Sequence, residues 1–158
     1  MAISSKEDIE IVQKMVIGFR DKSLKNRKNV DFALTRLFMD LAKVSHLILK
    51  LNAQEMVATE EPIEVDFYNN CEFEKWLNNE DIIKKLGCHS EYKMIKDNLH
   101  KDFHQLIKKA TACTHTKTCI SNKEQTIKKF EEIENISFKL NQSMDNLFEK
   151  YVKKQCSY

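Results

Sequence analysis

Residues 30–51, VDFALTRLFMDLAKVSHLILKL, carry the strongest pattern in the chain. Their apolar side chains recur at steps of three and four residues, which is the spacing of one face of an α-helix. The pattern predicts a long amphipathic helix that extends to about residue 57. The residues that form the apolar face are Phe32, Leu34, Leu37, Phe38, Leu41, Val44, Leu47, Ile48 and Leu51.

Upstream of this stretch the sequence predicts a further helix. Ser4 and Glu7 form a capping-box pair, in which each side chain bonds a backbone amide of the first helical turn. We therefore expect a first helix over residues 5–20. Either it ends at a solvated basic connector over residues 20–28, or it continues into the long helix.

Three more helices are predicted downstream. Residues 58–70 have no helical stripe, so we expect a connecting loop there. Gly87 ends the first of the three helices, and a capping box of Ser121 and Glu124 opens the last. The predicted helices span residues 71–85, 90–111 and 121–154.

The composition favours an all-α fold. The chain has only two glycines and one proline, whereas a sandwich or barrel needs many turn residues of these kinds. Long amphipathic helices that each need a partner face pack as a bundle. We predict an antiparallel four-helix bundle with an additional N-terminal helix. The expected division is 1–28 for the N-terminal helix and basic connector, and 29–158 for the bundle.

Charge and cysteine content limit the function classes. The 26 Lys and Arg residues nearly balance the 24 Asp and Glu residues and lie in mixed clusters, which does not favour nucleic-acid binding. No signal peptide is recognisable, and no apolar run is long enough to span a bilayer. Five cysteines, an odd number, then indicate free thiols in a reducing, cytoplasmic compartment.

Two histidines form a candidate metal clamp. His100 and His104 lie four residues apart on a predicted helix, so their side chains share one face. This spacing is typical of metal ligands but also arises by chance. Lys101 stands where the zinc-peptidase motif H-E-x-x-H has its catalytic glutamate, which disfavours a peptidase.

A tetrahedral zinc site needs two more ligands. His46 interrupts the apolar face of the long helix, and Cys71 begins a predicted helix. A helix N-terminus lowers a thiol pKa and so favours the thiolate that binds zinc. Each residue also has a structural interpretation: His46 as a hydrogen-bonded core histidine, and Cys71 as a small buried side chain.

In this order the motifs resemble the chemoreceptor zinc-binding domain of some bacterial chemotaxis receptors and diguanylate cyclases. The matching residues are His46 with Lys50, Cys71 with Lys75 and Trp76, and His100 with His104. The resemblance covers about residues 30–150. It implies one zinc ion inside a four-helix bundle, with the ligands His46, Cys71, His100 and His104.

The chain departs from the family pattern at three positions. Glu74 replaces the glycine of the family's cysteine segment, Ser45 stands where many members have an acidic residue, and Leu49 stands where an aromatic is common. These changes leave the implied ligand set intact. They leave open the loop conformation at Cys71 and the groups that orient His46.

Other Cys and His residues offer a rival site. Cys113, His115 and Cys119 have metal-like spacing in a predicted turn, and Cys88 and His89 form an adjacent pair. A group of three lacks the fourth ligand of a closed structural site. The alternatives are a second zinc site or an exposed loop whose thiols become oxidised or pair with one another.

From the resemblance we expect a cytoplasmic zinc-binding sensory domain of chemotaxis-type signalling. Four protein ligands leave no open position on the ion, so we do not expect an enzyme. The signal is either zinc availability or oxidation of the zinc-bound thiolate, for example by hypochlorous acid. Expected partners are the zinc ion, a second copy of the chain, and a chemotaxis receptor or other signalling protein. The alternative is a metal-free helical adaptor.

Overall fold

The computed structural model describes residues 6–62, 71–154 and 156. All regular structure in these residues is helical, which confirms the all-α prediction. The elements are α1 (Lys6–Thr59), α2 (Glu72–Leu77), α3 (Glu80–Leu86), α4 (Ser90–Met94), a π-helical turn (Ile95–Leu99), α5 (His100–Thr111), a 3₁₀ turn (Ala112–Thr116) and α6 (Lys123–Lys153).

Helix α1 is one continuous element, so residues 20–28 are helical and do not form a separate connector. Neither glycine nor proline occurs between Gly18 and Pro62, and nothing in that stretch breaks a helix. Ser4 of the predicted capping box lies outside the described residues. By contacts the chain divides into two compact units, Met1–Leu37 and Phe38–Tyr158.

The second unit contains the core. Helix α6 packs along α3, α4, the π-helical turn and α5. Two ion pairs join α1 to α6: Lys43 Nζ lies 2.6 Å from Asp145 Oδ1, and Lys50 Nζ lies 2.8 Å from Glu134. The large side chains that are fully buried include Leu77, Leu86, Ile95, Phe103, Ile107, Ile133, Leu140, Met144, Leu147 and Tyr151.

Helix α1 buries a different face from the one its largest apolar residues form. Its buried residues in the second unit include Met39, Ala42, His46, Ala53 and Met56. Among the aliphatic residues expected to face the core, four are 51% to 54% exposed, and they are Leu41, Val44, Ile48 and Leu51. The buried face of α1 is therefore the less apolar of the two.

The helix predicted over residues 71–85 is two helices. It breaks at Asn78 and Asn79, and the Asn79 side chain accepts a hydrogen bond of 2.9 Å from the Asp81 amide. This is an N-cap for α3, and asparagine is among the strongest N-cap residues. Gly87 follows the last residue of α3, as the sequence predicts.

The capping box predicted for α6 is wrong. The N-cap residue is Asn122 and makes no side-chain cap hydrogen bond. Ser121 Oγ instead donates to the Thr118 carbonyl at 3.0 Å, which stabilises the preceding turn. Because the side chain is used locally, it is not available to the helix.

Helices α4 and α5 run together through the π-helical turn that directly precedes His100. Ile95, Leu99, Phe103 and Ile107 are all buried and follow one another at steps of four residues. In an α-helix each such step rotates the side chain by about 40° beyond a full turn. A wider π turn offsets this rotation and keeps the residues facing the core.

Four of the five cysteines form disulfides, so the expectation of free thiols holds only for Cys71. The pairs are Cys88 with Cys156 and Cys113 with Cys119. Their Cα atoms are 5.7 Å and 5.0 Å apart, within the range that a disulfide spans. Among the described residues, no helix combines the length and apolar content that a bilayer crossing requires.

Candidate metal centre

Four side chains from three parts of the second unit converge at one point. His46 comes from α1, Cys71 directly precedes α2, and His100 and His104 lie on α5. One ligand atom of each lies within 4.8 Å of the others. The three histidines are at most 3% exposed, and Cys71 is half-buried. The structure therefore brings together all four residues that the sequence resemblance singles out.

Three distances between these atoms suit a tetrahedral zinc ion. Cys71 Sγ lies 3.3 Å from His100 Nε2 and 3.8 Å from His46 Nε2, and the Nε2 atoms of His100 and His104 are 3.1 Å apart. Ordinary zinc bond lengths give about 3.6 Å between sulfur and nitrogen ligands and about 3.3 Å between two nitrogens. Each observed distance therefore differs from the ideal by about 0.3 Å or less.

Burial keeps the histidines neutral. The pKa of His46 is lowered to about 3, mainly by burial and then by the neighbouring His100 and His104, while a hydrogen bond to the Ala42 backbone opposes the shift. Burial and His104 likewise lower the pKa of His100 to about 3. At neutral pH both rings are uncharged and have a nitrogen lone pair available for a metal ion.

The Cys71 thiol is in the opposite situation. Burial raises its pKa, and the carboxylates of Glu74 and Glu72 add to this effect, while backbone hydrogen bonds at Glu74 and Phe73 oppose it. The predicted lowering by the start of α2 is therefore outweighed. A divalent cation at the cluster favours the thiolate, because it supplies the positive charge that burial withholds.

Glu74 orients one of the histidines, a role that the sequence analysis did not identify. Its Oε2 atom lies 2.8 Å from His100 Nδ1, which donates the hydrogen bond. With the proton held on Nδ1, the lone pair of Nε2 points into the cluster. The available signal was the position of Glu74, three residues after Cys71 on the first turn of α2.

Aromatic rings enclose the inner side of the cluster. The Phe73 and Phe103 rings meet His46 edge to face, with centroids 5.7 Å and 5.0 Å away. Trp76 is half-buried and stacks between Phe73 and Phe38, with both centroid distances 5.6 Å. These contacts hold the His46 ring in place.

The outer side of the cluster is open. A cavity of about 480 Å³ is lined by apolar side chains that include Leu41, Leu49 and Phe73, and Cys71 and His104 also line it. A small molecule or ion that enters this cavity therefore meets the thiol directly.

The rival site predicted around Cys113 does not form. Cys113 and Cys119 are bonded to each other, and His115 is exposed. Within the described residues these three form no group that could hold a metal ion. The disulfide agrees with the alternative in which these thiols pair, but the loop is not wholly exposed, because Cys119 is buried.

Residues 46–111 match the family model of the chemoreceptor zinc-binding domain. The match confirms the resemblance inferred from the motifs over a narrower range than expected, and it includes all four residues of the cluster. No curated protein and no solved structure is significantly similar to the chain. Three imidazoles and one thiol are ligands that zinc prefers, so the donor set fits the family's ion.

Proposed function

With a chemoreceptor zinc-binding domain at residues 46–111 as the premise, we propose that this chain is a cytoplasmic zinc-binding sensory domain of chemotaxis-type signalling. The proposed ligands are His46, Cys71, His100 and His104. The observation that carries the proposal is the convergence of three buried imidazoles and one thiol at distances suited to zinc. Four protein ligands leave no position for a substrate, so the proposed role is not enzymatic.

The proposed zinc ion links parts of the chain that lie far apart in sequence. Three neutral imidazoles and one thiolate leave the centre with a net charge of about +1. The ion would tie α1, the residue before α2, and α5 together. Loss of the ion removes that tie and changes how α1 packs, and loss of the thiolate ligand weakens the hold on the ion.

Two inputs fit this arrangement, zinc availability and oxidation of Cys71. An oxidant such as hypochlorous acid can reach the sulfur through the adjoining cavity. The thiolate attacks the oxidant and becomes a sulfenic acid, while chloride leaves. Because sulfenic acid is a weaker ligand than thiolate, this reaction frees the segment before α2 from the centre and weakens the hold on the ion that ties α1 to α5.

The proposed partners are a second copy of the chain and a chemotaxis receptor or another signalling protein. Leu41, Val44, Ile48 and Leu51 follow a 3–4–3 spacing on the exposed face of α1. This is the a/d pattern of a coiled coil, and in sequence it continues upstream through Leu37, Leu34 and Val30. A uniformly aliphatic seam is complementary to itself, which favours a second copy as its occupant.

The same helix thus has two functional faces. His46 lies on the buried face, and the aliphatic seam lies on the exposed face. A change at the metal centre that moves α1 also moves the seam, because both belong to one helix. This is the route by which we propose the signal leaves the domain.

A competitive chelator titration tests the proposed function. We expect one tightly bound zinc per chain in untagged wild type with its disulfides formed, and more than about a 100-fold loss of affinity in Cys71→Ala, since loss of a ligand costs more than loss of its hydrogen-bond partner. His115→Ala is the control, because His115 is exposed and outside the cluster.

The same titration separates the alternatives. A metal-free helical adaptor would be purified with well under one zinc per chain. Unchanged affinity in Cys71→Ala would remove the thiol from the site and contradict oxidation sensing.

A further inference from the structure

A second cluster of metal-ligating side chains lies outside the site described above. Cys88 and His89 connect α3 to α4, and Cys156 follows α6. One ligand atom from each lies within 4.8 Å of the others. Cys88 and Cys156 are joined by a disulfide, so their sulfurs are not free to bind an ion in this state.

His89 is the independent indication of a ligand at this point. The residue is only 8% exposed, and its Nε2 atom is buried with no hydrogen-bond partner. A buried polar atom without a partner costs about 1–3 kcal/mol. The His89 backbone amide donates a hydrogen bond of 3.0 Å to the Leu86 carbonyl. The missing hydrogen bond is therefore that of the imidazole ring alone.

We propose that reduction of the Cys88–Cys156 disulfide creates a second zinc site with the ligands Cys88, His89 and Cys156. A dithiol reductant gives two electrons and two protons, so that its own sulfurs become a disulfide and the two cysteines become thiols. Zinc then displaces both thiol protons and binds two thiolates and one imidazole. Water occupies the fourth position.

The surroundings permit the necessary movement. Two thiolates on a tetrahedral zinc ion stand about 3.8 Å apart, so the sulfurs must separate once the disulfide opens. Lys154 is already in extended backbone beyond the end of α6, and Cys156 can shift without unwinding that helix. Cys88 is exposed, which gives both the reductant and the ion access.

This site differs from the His46 centre in chemistry and in redox dependence. Two thiolates neutralise the zinc charge completely, and three protein ligands with one water allow faster exchange than a closed site. The two sites share no residue. The chain would therefore bind one zinc ion when the Cys88–Cys156 disulfide is formed and two when it is reduced. Its zinc content then depends on the redox state of this cysteine pair.

The test measures zinc per chain on the untagged full chain before and after a phosphine reductant, with excess zinc removed by gel filtration. We expect one zinc per chain before reduction and two after it. Cobalt substitution adds an optical readout, because each new thiolate ligand raises the charge-transfer absorbance. Equal zinc content in both states would overturn the proposal.

Variants identify the ligands. The double variant Cys88→Ser with Cys156→Ser is expected to hold one zinc in both states, and His89→Gln to weaken only the second zinc, by at least tenfold. The matched control is Cys113→Ser with Cys119→Ser, which removes the other disulfide and should keep two zinc ions when reduced. Loss of the second zinc in that control, or full retention in His89→Gln, would overturn the assignment.

The result is separable from the proposed function. In Cys71→Ala the first site is weakened, and reduction should still add one zinc ion. If that addition fails while the wild type holds its first zinc, only the second site is wrong.

Discussion

A single carboxylate fixes the most buried ligand of the candidate metal centre. His100 has no solvent exposure, and Glu74 accepts its Nδ1 proton at 2.8 Å. A ring without this partner could hold its proton on either nitrogen, and one tautomer would turn an N–H towards the cluster. Glu74 therefore selects the form of His100 that can bind zinc.

Replacing this carboxylate should weaken zinc binding without removing a ligand. For Glu74→Ala we expect a loss of zinc affinity between about 10- and 100-fold, measured by competition with a chromogenic chelator. Glu72→Ala is the control, because Glu72 lies on the same turn, is 77% exposed and pairs with Lys75. Equal affinities in the two variants would show that Glu74 does not orient His100.

The four metal-binding candidates could be identified from the sequence because they occur in a recognisable order of motifs. The role of Glu74 could not, since it depends on how α2 faces α5, which is a tertiary relation. The same holds for the Cys71 pKa: the position before a helix is readable in sequence, but the burial that outweighs it is not.

Among the helices, α1 shows that predicting a helix does not predict which of its faces packs against the core. One of its faces carries Met39, Ala42 and Ala53, and another carries Leu41, Ile48 and other aliphatic residues. Both are apolar, so periodicity alone does not show which one meets the core. The structure buries the face with Met39, Ala42 and Ala53 and leaves the aliphatic one exposed.

A charge in the exposed seam should abolish self-association. For Ile48→Lys we expect a monomer where wild type is a dimer, because the lysine would face its symmetry mate in an apolar seam. Sedimentation velocity over a concentration series provides the measurement, and zinc content should stay unchanged. Gln54→Lys adds the same charge at another exposed position of α1 and should remain dimeric. A wild type that is monomeric throughout the series contradicts the proposal.

At the scale of the molecule, the buried histidines link the fold to pH. His46 and His100 have pKa values of about 3 in the folded chain, against about 6.5 when unfolded. Below pH 6.5 the unfolded chain binds more protons than the folded one, so stability is lost as the pH falls.

The expected slope for the zinc-free protein between pH 6 and 5 approaches about 1.4 kcal/mol per pH unit for each histidine. Urea unfolding at several pH values measures it, and His46→Leu should lose about half of the slope because one of the two groups is removed. Stability that is independent of pH between 7 and 5 would contradict the buried neutral state of these rings.

The disulfides are the part of the molecule that the sequence predicted least well. Cys88 and Cys156 are 68 residues apart, and only the packing of α6 against α3 and α4 brings them together. Disulfides are rare in reducing compartments. If the chain works in the cytoplasm as proposed, the reduced form is the resting one, and the second zinc site is then the ordinary state of these cysteines.

The number of residues in the π-helical turn before His100 determines how the candidate metal centre is oriented. The turn sets the angular relation between the buried stripe of α4 and the two histidines of α5. Shortening Ile95–Leu99 by one residue would leave a good helix but rotate His100 and His104 by about 100° around its axis. Evolutionary gain or loss of a codon in this turn would therefore disturb the candidate metal centre as much as replacement of a histidine.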